Sequence, residues 1–132
     1  MIRSVLAVIS GLVTWIVVAT LGNFLIRALL PGYVAAEPGM TFTLAMMVAR
    51  LAVGVVSSLV AGFATAAVAR GKALAVYICA AVLVLCFLPV HYSLWSRFPV
   101  WYHVFFLVTL APLVLAGAAV QRRRGPSAPA VP

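Results

Sequence analysis

Four long apolar stretches, almost free of charged residues, constrain this chain more than any other feature of its sequence. Each approaches or exceeds the roughly 20 residues that a helix needs to cross about 30 Å of hydrocarbon. They lie at about 4–30, 40–69, 73–92 and 99–120. With 67% hydrophobic and only 8% charged residues, the composition also departs from that of a soluble domain. The sequence therefore predicts an all-α polytopic membrane protein with four transmembrane helices.

The connections between these stretches are short, which constrains the topology. Arg70-Gly71-Lys72 is barely a turn, and Phe98-Pro99 starts the fourth helix with proline where no amide donor is needed. Short loops make consecutive helices antiparallel, so residues 1–121 are expected to form one up-down-up-down bundle. The remaining residues, 122–132, are predicted to form a basic and then Pro/Ala-rich cytoplasmic tail that is disordered, because they cannot bury a core.

The distribution of Lys and Arg predicts the orientation. Cytoplasmic loops carry an excess of these residues, so the more basic side of the bundle is expected to be cytoplasmic, with both termini. The first stretch is too long for the apolar core of a signal peptide, usually about 7 to 15 residues, and is interpreted as a retained helix. The basic side carries Arg3, Arg70, Lys72 and Arg122–Arg124, and the other side carries Arg27, Arg50 and Arg97. On that outer side an aromatic belt is predicted from Tyr33, Tyr92, Trp95, Phe98, Trp101 and Tyr102.

The near absence of acidic residues excludes many kinds of chemistry. Glu37 is the one acid against nine Lys and Arg, so paired-carboxylate catalysis and Asp-dependent triads have no residues to use. His91 and His103 are too few to make a metal site, and Cys79 and Cys86 lack the C-x-x-C spacing of a redox or zinc motif. We therefore expect no catalytic set, no cofactor and no bound metal. Because the basic residues lie at the ends of apolar runs, the expected partner is the lipid bilayer and not nucleic acid.

Polar and ionisable residues near the predicted outer side form a candidate cluster, since such residues are costly in hydrocarbon and often functional. Glu37 is expected to pair with Arg27 or Arg50, and one carboxylate cannot neutralise all the arginines. The remaining positive charge predicts a site for an anion or a lipid headgroup. The alternative is that the arginines snorkel to ordinary lipid phosphates beside interfacial histidines. The candidate cluster consists of Asn23, Arg27, Glu37, Arg50, His91, Arg97 and His103.

The second helix carries small residues at intervals of four. Gly54, Ser58 and Gly62 share one face, and small residues let a second helix approach closely in lipid. This small-residue stripe predicts a close helix contact, either within the bundle or between protomers of a homo-oligomer or larger membrane complex.

Two short stretches carry a resemblance. Phe98-Pro99-Val100-Trp101-Tyr102-His103, together with Leu30-Pro31-Gly32-Tyr33, resembles uncharacterised small four-span inner-membrane proteins of bacteria. The resemblance implies four spans in a bacterial inner (plasma) membrane, and it implies no activity. The small multidrug-resistance transporters are different, since they rely on a glutamate in the first helix, where this chain has Asn23 and Arg27.

Three functions are compatible with these features. The favoured interpretation is a structural or accessory membrane protein that associates through its small-residue helix faces. The alternative is a small homo-oligomeric transporter or channel for an anionic or lipid-like solute, selected by Asn23, Arg27 and Arg50. A membrane enzyme that acts on lipid headgroups through His91 or His103 ranks below both.

Overall fold

The computed structural model describes residues 1–125 as a helical bundle. It contains α1 (Ile2–Leu29), the short α2 (Tyr33–Ala36), α3 (Leu44–Ala69), α4 (Ala73–Ser93) and α5 (Val100–Arg124). Helices account for 83% of the described residues and no strand occurs among them, so the predicted all-α class is confirmed. The four long helices are each apolar and long enough to cross a membrane.

The helix bounds differ from the predicted spans at three places. α3 begins at Leu44 and not at residue 40, because the Thr43 hydroxyl accepts a hydrogen bond from the Met46 amide and caps the helix. The loop before it contains α2, which the sequence did not predict. α5 continues to Arg124, so Arg122–Arg124 are helical and do not belong to the tail; basic residues suit the negative end of a helix dipole. The predicted disorder of residues 126–132 lies outside the described residues.

The outward faces of the long helices carry apolar side chains. Leu6, Val13 and Leu21 of α1 are more than half exposed, and α4 and α5 present similar residues such as Leu85 and Val108. Contiguous apolar surface of this extent is unfavourable in water and matches the hydrocarbon of a bilayer. The fold is therefore that of a multi-pass membrane protein, and the up-down order across the bilayer stays a prediction.

α3 lies at the centre of the bundle and is the most buried of the long helices. Near one end of the bundle, Ala7 of α1 packs against Ala69 and Ala75, which flank the turn between α3 and α4. At the other end, Ile26 of α1 packs with Tyr33 of α2 and Met46 of α3. We call this second end the Tyr33 end, and the candidate residues gather there.

Candidate functional site

Arg50 is held at the Tyr33 end by four aromatic side chains. Its Nη1 donates a hydrogen bond to the Tyr33 hydroxyl at 2.6 Å, and its Nε donates one to the Tyr102 hydroxyl at 3.3 Å. The guanidinium carbon lies 4.9 Å from the centre of the Phe42 ring and 5.9 Å from that of Phe98. Cation–π attraction stabilises a guanidinium over such rings. The side chain of Arg50 is therefore fixed in position by aromatic groups, and no carboxylate of residues 1–125 takes part.

The local backbone explains why Tyr33 can reach Arg50. Gly32 has a φ of 79°, in the left-handed region that favours glycine, and it turns the chain from α1 into α2. Tyr33 is thereby fully buried, and its hydroxyl also donates a hydrogen bond to Asn23 Oδ1 at 3.3 Å. Arg50, Tyr33 and Asn23 thus form a chain of hydrogen bonds from α3 through α2 to α1.

Most of the hydrogen-bonding capacity of Arg50 stays unused. A guanidinium has five N–H bonds, and within residues 1–125 only two of those on Arg50 find an acceptor. Both acceptors are neutral hydroxyls. Three N–H bonds and a full positive charge are thus available to an anion that approaches Arg50.

A cavity of about 250 Å³ lies beside Arg50, between the four long helices. Its deeper part is bounded by Trp15 and Phe87, whose ring centres are 4.6 Å apart. Polar groups reach it from all four long helices, since Asn23, Arg50, His91 and Tyr102 line it. The remaining walls are apolar, formed by Ala19, Ile26, Val53, Gly54, Val90, Leu94, Phe98 and Phe106. We call this space the Arg50 cavity.

A second space lies on the other side of Arg50. This outer groove has a volume of about 390 Å³ and shares Arg50, Leu94 and Phe98 with the Arg50 cavity. Arg27 and Glu37 also line it. Arg50 therefore lies in the wall common to both spaces and can meet an anion from either side.

Glu37, for which the sequence left Arg27 and Arg50 open as partners, binds Arg27. The pair is bidentate, with Nε to Oε1 at 3.0 Å and Nη2 to Oε2 at 2.9 Å. Both side chains are partly exposed, at 43% for Arg27 and 21% for Glu37. Within the described residues Arg50 makes no ion pair, so none of their carboxylates neutralises its charge.

The Arg27–Glu37 pair predicts which substitutions have coupled effects on thermal stability. We expect the melting-temperature shifts of Glu37→Gln and Arg50→Gln to add in the double variant, since these side chains share no hydrogen bond. The matched control is the cycle of Glu37→Gln with Arg27→Gln, which removes a bidentate pair and should be non-additive. Thermal unfolding in detergent measures both cycles. Coupling between Glu37 and Arg50 as large as that between Glu37 and Arg27 would contradict the arrangement.

His91 and His103 form a hydrogen-bonded pair where α4 meets α5. Their Nδ1 atoms are 2.8 Å apart. His91 lines the Arg50 cavity, whereas His103 lies behind it, fully buried, with its ring stacked on Trp95 at 4.8 Å. Nε2 of His103 is buried and has no hydrogen-bond partner within the described part of the chain.

The structure thus divides the seven residues of the candidate cluster. Asn23, Arg50 and His91 share one cavity, with His103 directly behind it. Arg27 and Glu37 pair in the outer groove. Arg97 lies in the loop before α5, is exposed, and takes part in no side-chain hydrogen bond or ion pair among residues 1–125.

The small-residue stripe of α3 is covered within a single chain. Gly54 lies against the ring of Phe106, and Gly62 lies against the backbone of Val114, both on α5. Ser58 donates to the Gly54 carbonyl at 2.7 Å and accepts a hydrogen bond from Trp15 Nε1 at 3.2 Å. These three residues are buried and leave no free surface on this face for a second protomer.

Three of the four aromatic residues that hold Arg50 were predicted to lie in the aromatic belt. Tyr33, Phe98 and Tyr102 are instead buried and face the bundle interior, whereas Tyr92, Trp95 and Trp101 are exposed. Phe42 was not singled out. The sequence carries only a weak signal that these side chains are buried. Tyr33 follows Gly32, and Phe98 and Tyr102 lie around Pro99, where a turn of the chain can bring a side chain back over the helix end.

Comparison with known proteins does not supply a function. No protein-family model, curated protein or solved structure matches the chain. The resemblance to small four-span inner-membrane proteins of bacteria stays an expectation. The geometry around Arg50 is the remaining guide to a function.

Proposed function

We propose that this multi-pass membrane protein binds an anionic group in the Arg50 cavity and catalyses no reaction. We place it in the bacterial inner membrane, as the resemblance implies, and we place both termini in the cytoplasm on the asymmetry of its basic residues. The observation that carries the proposal is Arg50 itself. Among residues 1–125 it is a cation with three unpaired N–H bonds and no carboxylate partner, and it lies in the wall of an aromatic cavity.

The chemistry of the cavity favours a carboxylate, phosphate or sulfate group. A guanidinium matches the geometry of these oxyanions and is less strongly hydrated than an ammonium, so it binds them well in apolar surroundings. Asn23 and His91 provide further hydrogen bonds in the same cavity. The chain has a net charge of +8, and its single acidic side chain already binds Arg27, so no acidic side chain competes with an external anion at Arg50.

The same geometry changes the order of the functions considered from the sequence. A structural or accessory protein that associates through the small-residue stripe has less support, since α5 and α1 cover that stripe within one chain. Binding of an anionic or lipid-like solute, the alternative from the sequence, is favoured by the Arg50 cavity. The lining residues of this cavity come from all four long helices of the chain.

Thermal unfolding in a neutral detergent tests the proposal with two probes, inorganic sulfate and phosphatidylglycerol. Either should raise the melting temperature, because a ligand that binds only the folded state stabilises it by about 2.7 kcal/mol at 100 times its Kd. Zwitterionic phosphatidylcholine should have a smaller effect. A response to sulfate alone indicates a free anion, and a response to phosphatidylglycerol alone indicates a lipid headgroup.

Two pairs of variants locate the binding. Arg50→Gln should abolish the response, whereas Arg97→Gln, an exposed arginine in the loop before α5, should retain it. Ala19→Phe fills the cavity and leaves Arg50 intact, and Thr20→Phe changes the adjacent exposed residue of the same helix. The proposal fails if neither probe stabilises the unaltered protein, or if Ala19→Phe and Thr20→Phe respond alike.

A further inference from the structure

The proposed anion site uses only one ring of the His91–His103 pair, that of His91, and gives no role to His103. Because its two Nδ1 atoms are 2.8 Å apart, one of them must carry a proton and the other must accept it. A buried ring nitrogen without a partner, as at Nε2 of His103, is uncommon and calls for a physical reason. The pair also touches the Arg50 cavity through His91.

We infer that the His91–His103 pair binds one proton when an anion binds in the Arg50 cavity, so that anion and proton are taken up together. This inference rests on the proposed function. When neutral, the pair holds two protons, one between the Nδ1 atoms and one on either Nε2. A third proton gives the same species from either tautomer, with N–H on both Nε2 atoms and one proton shared between the Nδ1 atoms.

The protonated pair suits the site in two ways. The Nδ1 hydrogen bond becomes charge-assisted and therefore stronger. His91 then has an Nε2–H donor on the ring that lines the Arg50 cavity, where an anion can accept it. The stacked ring of Trp95 also favours a positive charge on His103 through its π face.

The groups around the pair explain why the proton requires the anion. α3 contributes Arg50 to the same cavity, and α5 contributes Tyr102, whose hydroxyl is already an acceptor for Arg50. From α1 the cavity receives the neutral side chains of Asn23 and Trp15, and Phe87 and Phe106 complete the contacts of His91 with uncharged rings.

None of these groups is an acid. Glu37, the single acid of the chain, is bound to Arg27 in the outer groove. A second positive charge near Arg50 is thus opposed by the first unless an external anion lies between them. By thermodynamic linkage, an anion that favours the protonated pair must bind more tightly when the pair is protonated.

The pH dependence of sulfate binding tests this inference, since sulfate keeps its charge between pH 5 and pH 8. We expect its Kd to fall by up to about tenfold per pH unit as the pH is lowered through the range in which the pair gains its proton. We also expect about one proton to be taken up per bound sulfate at a pH where the free pair is neutral and the sulfate-bound pair is protonated. An indicator dye in weak buffer measures this uptake. The chain has only two histidines, so few other groups titrate there.

His103→Gln tests the pair, because His103 does not line the cavity and glutamine has no basic nitrogen with which His91 can share the added proton. The change in Kd should then be less than about twofold per pH unit. A repeat with phosphatidylglycerol, whose phosphate keeps one charge, shows whether a lipid headgroup behaves as free sulfate does. Should His103→Gln fail to fold, the proton count on the unaltered protein decides.

The possible failures are distinct. Sulfate or phosphatidylglycerol binding with no proton uptake and no pH dependence overturns the coupled proton and leaves the proposed anion site intact. The same is concluded if His103→Gln keeps the full pH dependence, because proton uptake then does not require the pair. Absence of binding by both probes at every pH overturns the proposed function, and the proton coupling with it.

Discussion

Gly62→Leu and Gly117→Leu are each expected to prevent α3 and α5 from packing, with a loss of at least about 3 kcal/mol of folding free energy. A Cβ atom at Gly62 would overlap the Val114 carbonyl, and one at Gly117 would overlap the Leu59 carbonyl. These contacts are reciprocal, each glycine meeting the backbone of the opposite helix. Overpacked cores usually relax by moving side chains, but here only a shift of the whole helix can relieve the overlap. Size-exclusion chromatography and thermal unfolding in detergent measure the loss.

The effect should be graded by what each new side chain meets. Gly54→Leu is expected to cost less, since a Cβ atom there meets the Phe106 ring at 2.9 Å and a ring can turn aside. Ala67→Leu is the matched control, because Ala67 lies on the exposed face of α3. Equal losses for Gly62→Leu and Ala67→Leu would mean that the helices do not approach as closely as described.

This contact explains why the bundle can hold a cavity at one end. In the part of α3 beyond Ser58, small residues bring α5 to backbone contact at Gly62. Toward the Tyr33 end the helices carry large side chains on their inner faces, with Trp15, Phe87 and Phe106 in mutual contact. These three rings line the Arg50 cavity. The tight half of the bundle therefore fixes the helices, and the open half provides the site.

The helices could be predicted from the sequence because they depend on local pattern. Four apolar runs gave the four long helices, and the short Arg70-Gly71-Lys72 connection is a turn in which both Arg70 and Gly71 have positive φ. The bounds differed where a specific interaction decides, as with the Thr43 cap. Glu37 was assigned an arginine partner from charge alone, but the choice of Arg27 depends on how α2 shapes the loop.

The partners of Arg50 could not be predicted for a different reason. Tyrosine near the end of a membrane helix fits an interfacial belt as well as a buried hydrogen bond, because its ring is apolar and its hydroxyl polar. Which applies depends on the rotation of each helix about its axis, and no periodicity in the sequence states it. The same holds for His91 and His103, whose contact depends on the mutual rotation of α4 and α5.

Tyr33→Phe is expected to lower the free energy of unfolding by about 1.5 to 3 kcal/mol, the range for a hydrogen bond to a charged group. The Tyr33 hydroxyl is the closer of the two acceptors of Arg50, at 2.6 Å, and Tyr33 is fully buried. Without it the guanidinium has one acceptor fewer in apolar surroundings. In an Arg50→Leu background the same change should cost less than about 1 kcal/mol, because only a neutral hydrogen bond to Asn23 is lost.

Tyr92→Phe is the matched control, since Tyr92 is 84% exposed, and it should change the stability by less than about 0.5 kcal/mol. Arg50→Leu alone should leave the stability unchanged or raise it, because an intramembrane guanidinium costs about 2.5 to 3.5 kcal/mol and leucine does not. Arg50 would then contribute nothing to stability, and its role would be in binding. If Arg50→Leu instead destabilises the protein without unfolding it, and Tyr33→Phe costs the same in both backgrounds, Arg50 does not act through Tyr33. Its contacts would then serve the fold, and its positive charge would no longer support an anion site.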